Sequence, residues 1–408
     1  MRSKWLSLIA ILLIISNGFA IIPTFFDMNP AFVFESPRRY LDISDMGVSG
    51  KSLNNLLSLG DLNKLAKGEK VVLDKGKLDL LQGNDFVFSP EIEGSEYIGL
   101  GFGGFRLGAV ARVNNTLSLN LPYEVMSLIL GDDSIGFNED IERSFNLLNG
   151  SLSAQAGVLV GMDFGNLSLG VEAGGYLPII AFDKDSSMTF LYYSNENTAT
   201  LHIGINGQQR IYSFLSSFNN TDIDENEIKE NMGYYLSAGL LYKIENLKVG
   251  FAVNNYSISP AKMKYYGDVK LSYDATLSNL SFSSSDLESE FPDTYDELEK
   301  SQDVTIPMEY SLFISYRFFS YLDTAFHAKV TSDFSRRDIG AYVAFEDLAW
   351  LDLTMLRNGL WKKEIGLNLE MNFFRLTASV GILDVGIVNF FPDRITGLSV
   401  NVGFGLGF

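Results

Sequence analysis

"GLSVNVGFGLGF", Gly397 to Phe408, alternates without an exception. Leu398, Val400, Val402, Phe404, Leu406 and Phe408 are apolar, and Ser399, Asn401, Gly403, Gly405 and Gly407 between them are small or polar. A period of two over this length reads as a β-strand with one wholly apolar face. A strand of this kind at the end of a chain fits a wall facing lipid better than the edge of a soluble sheet, because an exposed apolar edge is a site of aggregation.

Working outward, the same pattern recurs. In "SLSAQAGVLVGMDF" (151–164) the apolar row is Leu152, Ala154, Ala156, Val158, Val160, Met162 and Phe164, and only Leu159 breaks it. Comparable rows run through Tyr234–Tyr242, Leu247–Val253, Met308–Phe318, Ile365–Met371 and Leu376–Ile382. Very short turns alternate with longer polar connections. They fall at Gly165-Asn166, Glu245-Asn246, Phe319–Tyr321, Glu346-Asp347 and Phe373-Phe374, and the last three are spaced 27 residues apart. That step is one hairpin unit of an up-and-down barrel. Strands this long exceed the usual soluble length and match the roughly 9–11 residues of a tilted membrane strand. Tyr242, Phe318, Phe319, Tyr321, Phe345, Trp350, Phe373 and Phe374 crowd the short turns, where an interfacial aromatic girdle is expected.

The bulk numbers agree. Hydrophobic residues make up 46% of the chain, with 31 Phe, 19 Tyr and 37 Gly, spread through short alternating stretches. Arg2 and Lys4 precede the apolar run Trp5–Ile15, and Gly18-Phe19-Ala20 supplies small residues at a cleavage site, so residues 1–20 read as a signal peptide. Beyond it no apolar run is long enough for a membrane helix. Without Arg2 and Lys4 the chain carries 29 basic against 50 acidic residues, a surface that repels nucleic acid. The absence of cysteine excludes disulfides, thiolate metal sites and a lipoprotein anchor.

These readings predict an all-β protein, a transmembrane antiparallel β-barrel of about 14 or 16 strands with small loop helices, in the bacterial outer membrane. Residues 21–67 form an N-terminal segment that holds the first strand, near Tyr40–Val48 and paired with the last, and a helix over 52–67 that plugs the lumen. Residues 68–408 form the barrel. The acidic stretches 131–143, 219–231 and 283–303 are expected as extracellular loops, and 122–130 and 138–148 as helices. Phe404, Leu406 and Phe408 form the membrane-insertion signal, since a terminal Phe resembles the mark read by the barrel-assembly machinery. The lipid of the outer membrane and that machinery are the expected partners.

Asn29-Pro30-Ala31, within "MNPAF" and followed by "RRYLDIS" and "GVSG", resembles the NPA element of the FadL-type outer-membrane barrels, and is closer still to uncharacterised barrels that share an NPAF start. The resemblance implies a lumen-plugging segment and diffusion of apolar or amphipathic molecules across the outer membrane, with Asn29, Pro30 and Ala31 in the plug. Pro30 fixes φ and Asn29 can bond nearby backbone, so the pair sets a rigid turn. Phe25, Phe26, Phe32 and Phe34 either line an apolar pocket for a hydrophobic ligand or pack the plug against the wall. The acidic loops show little sign of an apolar landing site, a departure from that family's expected chemistry.

Catalytic motifs fail on spacing. The mature chain has two histidines, His202 and His327, both on polar faces, and no Gly-x-Ser-x-Gly. "GVSGKS" (47–52) and "GLGFGG" (99–104) miss the phosphate and dinucleotide spacings, and "DIDENE" (222–227) has Glu227 where a calcium loop needs Gly. The chain is therefore read as a non-enzyme without cofactor or metal. What remains is the polar face, where Arg112, Glu172, Glu309, Arg317, His327, Lys329, Glu370 and Arg375 lie opposite apolar rows, as do Asp163, Lys243, Asp323 and Glu364. They are expected to face the lumen or lie near an interface, and to pair across the interior, with a solute path as the alternative. The leading function is a plugged channel for small hydrophobic or amphipathic solutes. The alternatives are a structural or adhesive barrel with partner- or cation-binding loops, and a general porin.

Overall fold

The computed structural model describes residues 29–35, 41–58, 60–61, 64, 67, 79–81, 85–130, 140–183, 185–195, 200–216, 225–278, 281–284, 288–290, 292, 295–319, 321–332, 337–345, 348–356, 360–371, 373–384 and 397–407. The signal peptide, Phe25, Phe26 and Phe408 lie outside them. Fourteen strands of the described residues close into an antiparallel barrel. In chain order they are β1 (Leu41–Asn54), β2 (Phe86–Phe102), β3 (Phe105–Asn115), β4 (Ser151–Asp163), β5 (Leu167–Phe182), β6 (Gly233–Ile244) and β7 (Leu247–Ser259). They continue with β8 (Glu309–Phe319), β9 (Leu322–Thr331), β10 (Arg337–Phe345), β11 (Ala349–Met355), β12 (Trp361–Met371), β13 (Phe374–Asp384) and β14 (Gly397–Gly407). The strand that closes the sequence closes the barrel: Gly403 of β14 stands opposite Thr377 of β13 on one side and Gly47 of β1 on the other.

The faces are inverted relative to a soluble protein. On β14, Val400 and Val402 are exposed while Ser399 and Asn401 are buried, and the same holds for Leu240 against Ser237 and for Val380 against Ser379. Lipid covers such an apolar outer band, and the polar groups then satisfy one another inside. Phe102, Phe164, Tyr242, Phe318, Phe319, Tyr321, Phe345 and Phe373 are exposed at the short-turn end and form the aromatic girdle. Trp350 corrects the expectation. It shares the inward parity of Asp352 and Thr354, and its ring lies over Gly366 where a Cβ would be 2.0 Å away. Val400→Arg is expected to lower the free energy of folding into lipid vesicles by about 2–4 kcal/mol, the cost of a cation on the lipid face near the midplane. Asn401→Arg on the opposite face tests whether side rather than charge decides the effect.

The long connections are more structured than the sequence indicates. Strands Asp140–Phe145, Met188–Asn195, Thr200–Ser213, Ala261–Ser278 and Asp296–Val304 pair in that order into an antiparallel sheet beyond the wall. The predicted helix over 138–148 is thus replaced by a strand, whose Ile141 pairs with Tyr192. The acidic 283–303 stretch contributes a strand, and 225–231 is helical. The helix expected over 52–67 begins later, because β1 continues through Ser52, Leu53 and Asn54. The helix α1 (Tyr123–Leu130) forms as expected and is capped by Asp85, whose carboxylate accepts the Tyr123 N–H at 3.1 Å. Tyr176 fastens the outer sheet to the wall: its hydroxyl bonds the Ser259 and Val304 carbonyls at 3.1 Å and accepts the Ala261 N–H at 3.1 Å.

Candidate functional site

Residues 29–35 lie against the inner face of the wall. Pro30–Glu35 is a 3-10 helix, which Pro30 suits as first residue because its fixed φ is helical and its missing N–H is one the helix leaves unused. Asn29 caps it twice, through its carbonyl to Phe32 N–H (3.0 Å) and its Oδ1 to Ala31 N–H (2.8 Å). The same side chain ties the segment to the wall, because its Nδ2 donates to the carbonyls of Leu240 (2.9 Å) and Phe251 (3.2 Å). Ala31, Phe32 and Val33 are buried.

The wall is cut to receive this segment. Gly161, Gly170 and Gly239 stand in register on β4, β5 and β6, and Gly250 follows on β7. A Cβ on Gly170 would lie 2.3 Å from the Pro30 carbonyl carbon, and one on Gly239 2.0 Å from Asn29 Oδ1. Around this notch, apolar residues occupy the otherwise polar inner face. Leu241, Phe313, Ala325 and Tyr342 surround Ala31 and Phe32, and Tyr97, Val110 and Leu159 surround Val33 and Phe34. The Phe32 and Phe313 rings meet edge to face at 5.2 Å. Leu159, the single break in its strand's alternation, is therefore a contact of the N-terminal segment.

Most of the sequence-predicted lumen residues are brought into ion pairs. Arg112 binds Glu172 through two N–H groups, one at 2.8 Å, and Tyr235 donates to the same carboxylate at 2.6 Å. Lys329 meets Glu309 at 3.2 Å, and His327 meets Asp352 at 2.9 Å across Gly340. Asp352 also meets Lys362 (3.2 Å), Lys362 meets Glu364 (2.7 Å), and Asn401 donates to Glu364 (2.8 Å), so a polar chain runs from β9 to β14. Arg375 pairs with Asp45 at 2.8 Å. Arg317 pairs with Asp323 at 2.7 Å, but at the short-turn rim rather than deep in the lumen. Glu370 lies in β12 opposite Arg375, and its side chain lies outside the description. His202 is in the outer sheet, with Thr276 Oγ1 3.1 Å from its Nδ1. Phe404 and Leu406, expected as part of an insertion signal, are half-buried on the outer face of β14.

Toward the long-connection end the lumen opens into a cavity of about 1570 Å³. Most of the residues that line it are polar, among them Glu91, Arg112, Asn114, Gln155, Asn254 and Lys329. Asn254 and Asn255 both line it although they are consecutive. A register shift between Leu236 and Ala238 and a φ of +59° at Asn255 produce this, a bulge that turns an extra side chain inward. The signal was present in "FAVNNYS", where two adjacent Asn interrupt the alternation. The pair Arg106–Asp42 (2.9 Å) and Lys51–Glu91 (2.6 Å) were also missed.

No family model matches the chain, and none of the curated proteins does. Solved structures to which the chain is similar include the toluene transporter TodX of Pseudomonas putida, at 11% identity over 94% of this chain and 93% of that one, with a TM-score of 0.35. A deltaS2S3 mutant of TodX, a monoaromatic hydrocarbon channel, is similar at 10% identity over 96% of both chains, with a TM-score of 0.42. A Rhodopseudomonas blastica porin mutant is similar at 12% identity over 90% of this chain and 99% of that one, with a TM-score of 0.24.

Proposed function

We propose that the chain is a plugged outer-membrane channel for small amphipathic solutes, with residues 29–34 as the plug. The carrying observation is the two-zone lumen. A vestibule of about 1570 Å³, lined mostly by polar residues, lies beyond the apolar seat where Phe32 and Phe313 meet and Asn29 is bonded to the wall. An amphipathic molecule finds polar partners in the first zone and an apolar surface in the second, whereas a wholly apolar one desolvates the vestibule at a cost of about 1–3 kcal/mol per unpaired group. The resemblance supports the same reading, because Asn29 of its NPA element caps and tethers the segment and Pro30 begins its helix. Planar-bilayer conductance tests it. The mature chain is expected to show small, infrequent currents, and deletion of residues 21–35 to give a steady ohmic pore. A large ohmic pore in the intact chain would overturn the plug and favour a general porin.

A further inference from the structure

One acidic side chain stands on the lipid side of the wall. Along β2 the side chains alternate from Tyr97, buried against Val33 of the N-terminal segment, to Ile98 and Leu100, exposed on the outer face. Glu96 shares the parity of Ile98 and Leu100. Its neighbours in register agree, since Ala111 of β3 is exposed and Met46 of β1 pairs in turn with Phe404 on the outer face of β14. No bulge interrupts β2 against β3, which fixes the side. Glu96 lies six residues from Phe102 of the girdle. That is about 15 Å along the barrel axis at the usual rise and tilt, near the middle of an apolar band about 25 Å tall.

A carboxyl group at that depth needs a donor, because hydrocarbon offers none. The side chains beside it on the outer face, Met46, Gly94, Ile98 and Ala111, have no donor to give, and no described residue pairs with it. An ionisable group kept in the membrane at a cost to stability points to function, and its partner has to be found within the lipid. Gly94, Ala111 and Ala156, the last in register with Ala111, leave a shallow trough next to Glu96. An ammonium brings three N–H donors to the carboxyl oxygens, and the low dielectric strengthens the attraction. Its alkyl chain lies along the trough. An alcohol offers a single neutral hydrogen bond, and a carboxylate head is repelled. We infer that Glu96 and this trough form a lipid-facing binding site for an amphiphilic amine dissolved in the membrane. The site is on the outside of the barrel and is independent of the channel reading.

Electron paramagnetic resonance on the full mature chain in phosphatidylcholine vesicles tests it, with nitroxide-labelled stearylamine, stearyl alcohol and stearic acid as probes. The amine is expected to show the largest immobilised fraction and to be displaced by unlabelled stearylamine. Glu96→Gln and Glu96→Leu each lower its relative affinity about tenfold, the loss of a charge-assisted hydrogen bond. Heat-modifiable gel mobility confirms that both variants fold. Glu96→Leu is also expected to melt higher than the parent, because it removes an unpartnered carboxyl from lipid, and a lower melting temperature would show that Glu96 serves the fold instead. The site is refuted if the amine is held no better than the alcohol, or if both folded variants hold it like the parent. The chain has no cysteine, so Glu96→Cys carries a single thiol. An oxidant that links two copies through this thiol would overturn the amine site and assign the face to a second copy of the chain.

Discussion

Gly170→Val combined with Gly239→Val converts the chain into an open pore while the barrel still folds. Both glycines face inward, and the nearest atoms that a Cβ would strike belong to Asn29, Pro30 and Ala31 rather than to neighbouring strands. Branched side chains favour strand conformation, so the wall tolerates the change and the N-terminal segment does not. Overpacking costs about 1–3 kcal/mol per site, so two sites shift the seated-to-unseated ratio by roughly 30-fold or more. Single-channel recording is expected to show the steady current of the 21–35 deletion, with unchanged heat-modifiable mobility. Gly157→Val is the matched control. A Cβ there meets the Tyr235 hydroxyl and the Ala173 carbonyl, not the N-terminal segment, so packing is perturbed without unseating it. If the double variant conducts like the parent, the segment does not obstruct the lumen.

How much of this was legible in the sequence depends on how local each cause is. The wall was readable because alternation is local: each row such as Leu398–Leu406 states its own outward face. The short turns followed for the same reason. The seat of the N-terminal segment was also written there, as apolar residues at inward parity, Leu159, Leu241 and Phe313, but their meaning needed the partner that covers them. The outer sheet was not legible, because its strand Asp296–Val304 is almost wholly acidic and polar and its pairing with Ala261–Ser278 comes from a neighbour rather than from its own pattern. Ion pairs were expected as a class, yet no partner could be named. Some partners sit on strands two apart, as His327 and Asp352 do with Gly340 on the strand between them, while others, such as Glu309 and Lys329, sit on neighbouring strands at a diagonal that alternation alone does not specify.

The opening motif shows the same device at the closure of the barrel, and there the largest loss of stability is expected. Gly405 of β14 is in register with Asp45 of β1 and with Arg375 of β13, and Arg375 reaches Asp45 over it at 2.8 and 3.0 Å. On the other side of β1, Arg106 of β3 reaches Asp42 at 2.9 Å across β2. Two aspartates three residues apart face the same way only because β1 is bulged between them, as the register shifts against both neighbours record. Both Asp45 and Arg375 are buried, so Asp45→Ala takes from the Arg375 guanidinium its carboxylate partner among the described residues. Asp45→Ala is therefore expected to cost about 3–5 kcal/mol, measured by urea unfolding from lipid vesicles. Gly405→Leu, which inserts a side chain beneath the bridge, is expected to cost about 1–3 kcal/mol. Replacing both partners, Asp45→Leu with Arg375→Met, should recover most of the loss, because an apolar pair of similar volume leaves no buried charge. A loss below about 1 kcal/mol for Asp45→Ala would place the pair among solvated surface pairs and would refute a buried ionic staple at the first and last strands.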